Sequence, residues 1–227
     1  MICAVDHIVL AVDAGERRPL AERLLAAGLV DIPLHLDFPE IGAASDSYAM
    51  AGGGFVELVY ETRPGAAPAA WFDEVPRVIG LGFMSDDFET DVAAWGEPEG
   101  MWIMDEDQVL ADGSVLNIHA AGPHPHFEDL YVFVMDRREL PYAALEAKPR
   151  LEALTFVGSP AARWRHDLSS WLGLPPVGEE LRVGEVSLRF RTGAHPSARV
   201  SPTFSVGRPT WPIPLAAGRV GFVHAAR

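Results

Sequence analysis

Cysteine is nearly absent: Cys3 stands alone in 227 residues, so a disulfide framework is excluded. No apolar run reaches the roughly 18 residues that a membrane helix needs. The N-terminus lacks a basic stretch leading into an apolar core, which predicts a cytoplasmic protein without an export signal. Positive charge is scarce too. Eighteen Lys and Arg stand against thirty-two Asp and Glu, a formal net charge of −14. That balance repels polyanions, so no nucleic-acid partner is expected, and it favours a cationic or metal-bound ligand if any. The nucleophile elbow G-x-S-x-G and the phosphate-cradling G-x-x-x-x-G-K-[ST] are both missing, which leaves those two chemistries without a carrier. Apolar residues are not missing. They make up 48% of the chain, enough for a buried core and too many for disorder. The length fits one large domain or two small ones.

The chain repeats itself. Segments opening at Val5 (VDHIVLAVDAGERRP), Val78 (VIGLGFMSDDFETDV) and Leu151 (LEALTFVGSPAARWR) align without gaps at a spacing of 73 residues. Each begins with an apolar strand-like run. Each then reaches a small or acidic residue able to cap a helix: Asp13, Asp86 and Ser159. Helical spacing follows. Leu20, Leu24 and Leu25 share one face, then Phe88, Val92 and Trp95, then Trp164, Leu168 and Trp171. Strand-like runs come next, at Val30–His35, Asp46–Met50 and Phe55–Tyr60 in the first copy. The second copy has Met101–Met104, Ser114–His119 and Leu130–Met135, with Asp105-Glu106-Asp107 as an acidic turn. The third has Glu180–Val183, Val186–Thr192 and Val200–Val206. The expected fold is α+β: β-α-β-β-β modules at 1–63, 75–139 and, degenerate, 150–207, with a tail at 208–227, together one compact domain. A β-α-β-β-β unit curves its sheet around one face, so paired units make a cup.

Strand alternation decides what points into that cup. Ile8, Leu10 and Val12 belong under the helix, which turns His7 inward. Phe55, Glu57 and Val59 share the opposite strand's inner face. A carboxylate such as Glu57 among apolar neighbours needs a partner. An imidazole and a carboxylate meeting on one concave face can hold a divalent metal. His124, His126 and Glu128 alternate in HPHFE, so an extended backbone puts them on one side as further ligand candidates. Phe55, Trp102 and Phe133 are expected as substrate-binding walls.

The opening VDHIVLAV, the helix after it and the strand GGGFVELVY resemble the vicinal oxygen chelate superfamily, in its glyoxalase-like branch. The resemblance covers the first 60 residues, and the later copies as architecture. It implies a first-strand His and a last-strand Glu as metal ligands, the positions of His7 and Glu57. The later copies depart from it. Gly80 and Ala153 stand at the repeat positions of His7, and Leu130 and Thr203 at those of Glu57. Phe38-Pro39-Glu40-Ile41-Gly42-Ala43 replaces the branch's HPxxGT-like stretch and lacks its His.

The functional expectation is a metal-dependent enzyme acting on a small oxygenated organic substrate by lyase, isomerase or dioxygenase chemistry. The ion (Fe, Mn, Ni or Zn) is held by His7, Glu57, His126 and Glu128, and Glu57 is also able to act as base. A metal-free protein sequestering a cationic small molecule on the same scaffold is the alternative. An odd number of modules makes a homodimer the expected partner state. Neither a nucleic acid nor a membrane is an expected partner.

Overall fold

The computed structural model describes residues 1–95, 101–109, 113, 115–122, 130–136, 146–147, 149–195, 199–206, 213–215 and 218–224. Two runs of elements succeed one another. The first is β1 (Ile2–Ala11), α1 (Arg17–Ala27), β2 (Val30–Phe38), β3 (Ala43–Ala49), β4 (Phe55–Glu61), α2 (Ala69–Phe72), β5 (Arg77–Ser85), α3 (Phe88–Ala94), β6 (Trp102–Val109), β7 (Val115–Gly122) and β8 (Tyr131–Asp136). The second is β9 (Arg150–Val157), α4 (Ala161–Trp171), β10 (Glu180–Val183), β11 (Val186–Arg191), β12 (Arg199–Val206), β13 (Ile213–Leu215) and β14 (Gly218–His224).

Each run makes one mixed sheet. The first is ordered β2-β3-β4-β1-β5-β8-β7-β6 and the second β10-β11-β9-β12-β14-β13. The centre of the first is a parallel pair (β1 and β4), an antiparallel joint (β1 and β5) and another parallel pair (β5 and β8). The second sheet repeats that pattern with β11 and β9, then β9 and β12, then β12 and β14. This reassigns the run Val200–Val206. It pairs with β9 as β5 pairs with β1, and β14, drawn from the expected tail, pairs with it as β8 does with β5. The tail therefore supplies strands that complete a second, shorter sheet.

The helices form where the spacing predicts, with shifted ends. α1 opens at Arg17 and not after Asp13, whose carbonyl instead closes a turn by accepting from the N–H groups of Glu16 and Arg17. Gly28 ends it at φ 101°, a left-handed conformation that L side chains avoid. α3 is capped by Asp87, one residue beyond the expected Asp86; its side chain accepts from Thr90 N–H. Leu20 and Leu24 are buried, but Leu25 is exposed and lies off the core face. The acidic triplet Asp105-Glu106-Asp107 is no turn. It lies inside β6, an edge strand of the first sheet, where the Asn117 amide of β7 donates to both Asp105 and Asp107. One apolar cluster unites the two sheets on their helix-bearing faces. It contains Leu24 of α1, Phe88 of α3, Trp164 and Leu168 of α4, Leu81 and Phe83 of β5, and Leu154 and Phe204 of β9 and β12. Trp95 stacks on Trp171 across it, with ring centroids 4.6 Å apart. No helix among the described residues is long and apolar enough to cross a membrane.

Candidate active site

The site begins with a defect in β1. Opposite β5, Val5 pairs with Phe83 and His7 with Gly82, which leaves Asp6 as an extra residue. The same position is extra in the other two copies: Ile79 between the partners of Val9 and Leu10, and Glu152 between those of Thr203 and Phe204. An extra residue re-aims the side chains around it. Val5 and Ile8 accordingly both reach the helix-side core, although simple alternation puts them on opposite faces.

In the first copy the bulge brings neighbouring side chains together. Asp6 is fully buried, and its Oδ2 lies 2.6 Å from Nδ1 of His7. An ionised carboxylate only accepts, so Nδ1 donates to it and the imidazole is held with Nε2 facing the other way. Nε2 faces Glu57, with Oε2 at 3.6 Å. Glu57 reaches this point because it sits in β4 beside Val9 of β1 and opposite Ser47 of β3, on the face away from α1. His7 and Glu57 are only 5% and 7% exposed. The two side chains thus approach each other on one face of the sheet.

Aromatic rings enclose the pair. The imidazole stacks on Phe55, with centroids 4.5 Å apart and planes 10° apart, and Phe133 tilts against it at 5.1 Å. Trp102 follows at 6.0 Å from Phe133. All three expected wall residues therefore border His7 directly or through one ring. Space for them comes from glycine. A Cβ on Gly82 would lie 2.8 Å from His7 Nδ1 and 3.0 Å from Phe133, and one on Gly122 would meet the Trp102 indole at 2.9 Å.

Sheet register corrects the correspondence drawn from the 73-residue spacing. His7 pairs with Phe55 as Gly80 pairs with Tyr131, and Val9 pairs with Glu57 as Gly82 pairs with Phe133. The counterpart of Glu57 is therefore Phe133, not Leu130. The chain between Gly80 and β8 is longer than that between His7 and β4, so a gapless offset slips by three residues there. The second unit thus offers glycine and phenylalanine where the first offers imidazole and carboxylate. His124, His126 and Glu128 lie outside the described residues. Among the described residues no three His, Cys, Asp or Glu side chains are grouped to hold a metal.

Sequence reasoning missed Asp6, Ser45 and Ser47. The Asp-His dipeptide was visible, but alternation hid the contact that the bulge permits. Both serines are fully buried on β3, and neither hydroxyl has a hydrogen-bond partner among the described residues. Small polar residues in AASDSYA gave no signal of their own.

The sequence matches no protein-family profile and no curated protein. Solved structures do match. A hypothetical protein from Staphylococcus aureus superposes over 97% of this chain and 99% of its own, with TM-score 0.72 at 10% identity. A triple mutant of 4-hydroxymandelate synthase from Streptomyces coelicolor matches 91% of this chain and 72% of its own, with TM-score 0.58 at 16% identity. A fusion of a xylose isomerase-like TIM barrel with 4-hydroxyphenylpyruvate dioxygenase matches 91% of this chain over 37% of its own, with TM-score 0.60 at 11% identity. Paired β-α-β-β-β units curling into one sheet, the joint between β1 and β5, and these likenesses together give the chain the fold of the vicinal oxygen chelate superfamily.

Proposed function

We propose that the chain is a metal-dependent enzyme whose centre is His7 Nε2 and Glu57 Oε2, acting on a small oxygenated organic substrate. The observation that carries this reading is their separation of 3.6 Å with Nδ1 committed to Asp6. That gap is too long for a hydrogen bond. It fits two donors sharing one ion, since ligand bonds of about 2.0–2.2 Å at open angles leave donor atoms roughly 3–3.6 Å apart. Imidazole and carboxylate suit Fe, Mn, Ni or Zn. Two donors leave positions open, and His126 and Glu128 are the proposed candidates for those that protein fills.

Such an ion, when bound, supplies Lewis acidity toward a carbonyl or enolate oxygen. The chain's own residues do the rest. Asp6 fixes the imidazole plane and keeps the lone pair of Nε2 pointed into the cup. Phe55, Phe133 and Trp102 exclude water and offer flat faces to a ring or conjugated carbonyl. Alternatively, the Glu57 carboxylate would leave the ion and accept a proton from carbon next to a substrate carbonyl. Lyase, isomerase and dioxygenase outcomes all share this first arrangement.

A second reading rests on a specific observation. Phe133 and Gly80 occupy the places of a second Glu and His, which suits a metal-free cup that sequesters a cationic or neutral aromatic compound. Metal analysis of protein purified without chelator decides between them. The enzyme reading expects near-stoichiometric metal that is lost in His7→Ala and bound about 10–100-fold more weakly in Asp6→Asn. Metal-free wild-type protein that takes up none of the four ions overturns it in favour of sequestration.

A further inference from the structure

Arg77 and Arg199 open β5 and β12 at matching register positions, opposite Ala11 and Val157. Both arginines are buried, at 5% and 7% exposure. Both meet the segment that precedes β5. Arg77 donates from Nη1 to the carbonyl of Ala70 at 3.2 Å, and Arg199 binds the Glu74 carboxylate through Nη2. That second contact ties the segment before β5 to the second sheet. His195 lies beside it, with Nε2 2.7 Å from Arg199 Nη2 and 4.0 Å from Glu74 Oε2.

Arg199 is incompletely served by these neighbours. Its Nε and Nη1 are buried and have no hydrogen-bond partner among the described residues. Buried guanidinium donors are costly to leave unmade, and the paired oxygens of a carboxylate or a phosphate match their fork. The side chains of Glu74 and His195 that cover Arg199 are 51% and 42% exposed, so neither is locked into the core. Glu74 also adopts φ 56°, a region that non-glycine residues rarely occupy. A glycine would suit that backbone better, yet the position carries a carboxylate aimed at the arginine.

We propose that Arg199 is the floor of a binding site for a small oxyanion, a phosphate or carboxylate group, at the junction of the two sheets, and that the Glu74 carboxylate is its resident stand-in. An incoming anion displaces Glu74 outward and takes the donors that Glu74 leaves unused. No bond is made or broken, and the site is separate from His7 and Glu57.

The test is calorimetric titration of the full chain with inorganic phosphate, and in parallel with acetate, on protein stripped of metal and then dialysed free of chelator, so that the metal reading has no bearing on the result. Glu74→Gln removes the competing charge at an exposed position and is expected to bind the preferred anion about tenfold more tightly than wild type. Arg199→Lys keeps the charge but loses the Nε and Nη1 donors, and is expected to bind at least tenfold more weakly than wild type. Phosphate tighter than acetate identifies a phosphate site, and the reverse order a carboxylate site. Equal affinities in wild type and Glu74→Gln overturn the proposal, as does binding that survives Arg199→Lys unchanged.

Discussion

The two sheets share a topology and differ in chemistry at matching positions. In the first, the strand register places His7 and Glu57 on the concave side. In the second, taking Ala153 as the repeat partner of His7, the residue paired with Thr155 as Glu57 is with Val9 is Arg189. The charge follows the same division. Residues 1–149 carry twenty-seven acids against eight Lys and Arg, whereas residues 150–227 carry five acids against ten arginines. From Val78 to Asp136 there is no Lys or Arg at all, against thirteen acids. The half of the fold built from that stretch therefore brings no Lys or Arg of its own to the cup. The scaffold fixes where groups converge, and the residue chosen at each register position fixes what they bind.

The sharpest way to break the comparison is to exchange the two strand openings. His7→Ala is expected to abolish stoichiometric metal binding. Ala153→His is expected to create none, because Arg189 stands where the carboxylate belongs and Glu180 already accepts from its Nε at 2.9 Å. Elemental analysis of both purified variants checks this. Metal bound by Ala153→His after His7 has been removed would mean that the second sheet is the equal of the first.

A milder contrast uses the residues across from them. Gly82 faces His7, and Thr203 faces Ala153. Gly82→Ala drives a methyl to within 2.8 Å of the imidazole. We expect it to cost about 1–3 kcal/mol of stability and to weaken metal binding with it. Thr203→Gly removes a side chain where no imidazole is crowded, and should cost about 1 kcal/mol or less. Denaturant melts of the two variants give the comparison directly, and equal losses would remove the steric argument for Gly82.

These contrasts mark how much was legible beforehand. The three strand openings, their helices and the inward face of His7 and Glu57 follow from a 73-residue repeat and from period-two and period-3.6 patterning. What sequence periodicity could not show is what breaks periodicity. The extra residue at Asp6 reverses alternation locally, and only pairing with β5 reveals it. The equivalence of Glu57 and Phe133 needed the strand register, because the intervening chain differs in length between copies. The identity of β12 was hidden for a related reason: the third unit contributes β10 and β11 and lacks one strand, so the next apolar run was counted as its own. The acidic triplet in β6 was misjudged because an edge strand tolerates charge that a central strand does not.

The smallest expected effect is alkaline, and it belongs to one half only. All four tyrosines, Tyr48, Tyr60, Tyr131 and Tyr142, lie within residues 1–149. Burial, aided by the charges of Asp46 and Asp31, pushes the Tyr48 phenol up to about 12, and burial with Asp46 raises Tyr60 as well. Arg17, which pairs with Asp46 and lies over the Tyr60 ring at 4.1 Å, opposes both shifts without cancelling them. A phenol whose folded pKa exceeds its unfolded value contributes stability that is complete below the unfolded value, near 10, and is lost as pH rises through the folded one, about 12. Wild-type protein should therefore lose stability between those values, and Tyr48→Phe should lose about 1 kcal/mol less over the same window. Thermal melts of the two proteins from pH 9 upward measure it. Parallel losses would place the alkaline sensitivity elsewhere. Tyrosine cannot be its source in the second sheet, which has none.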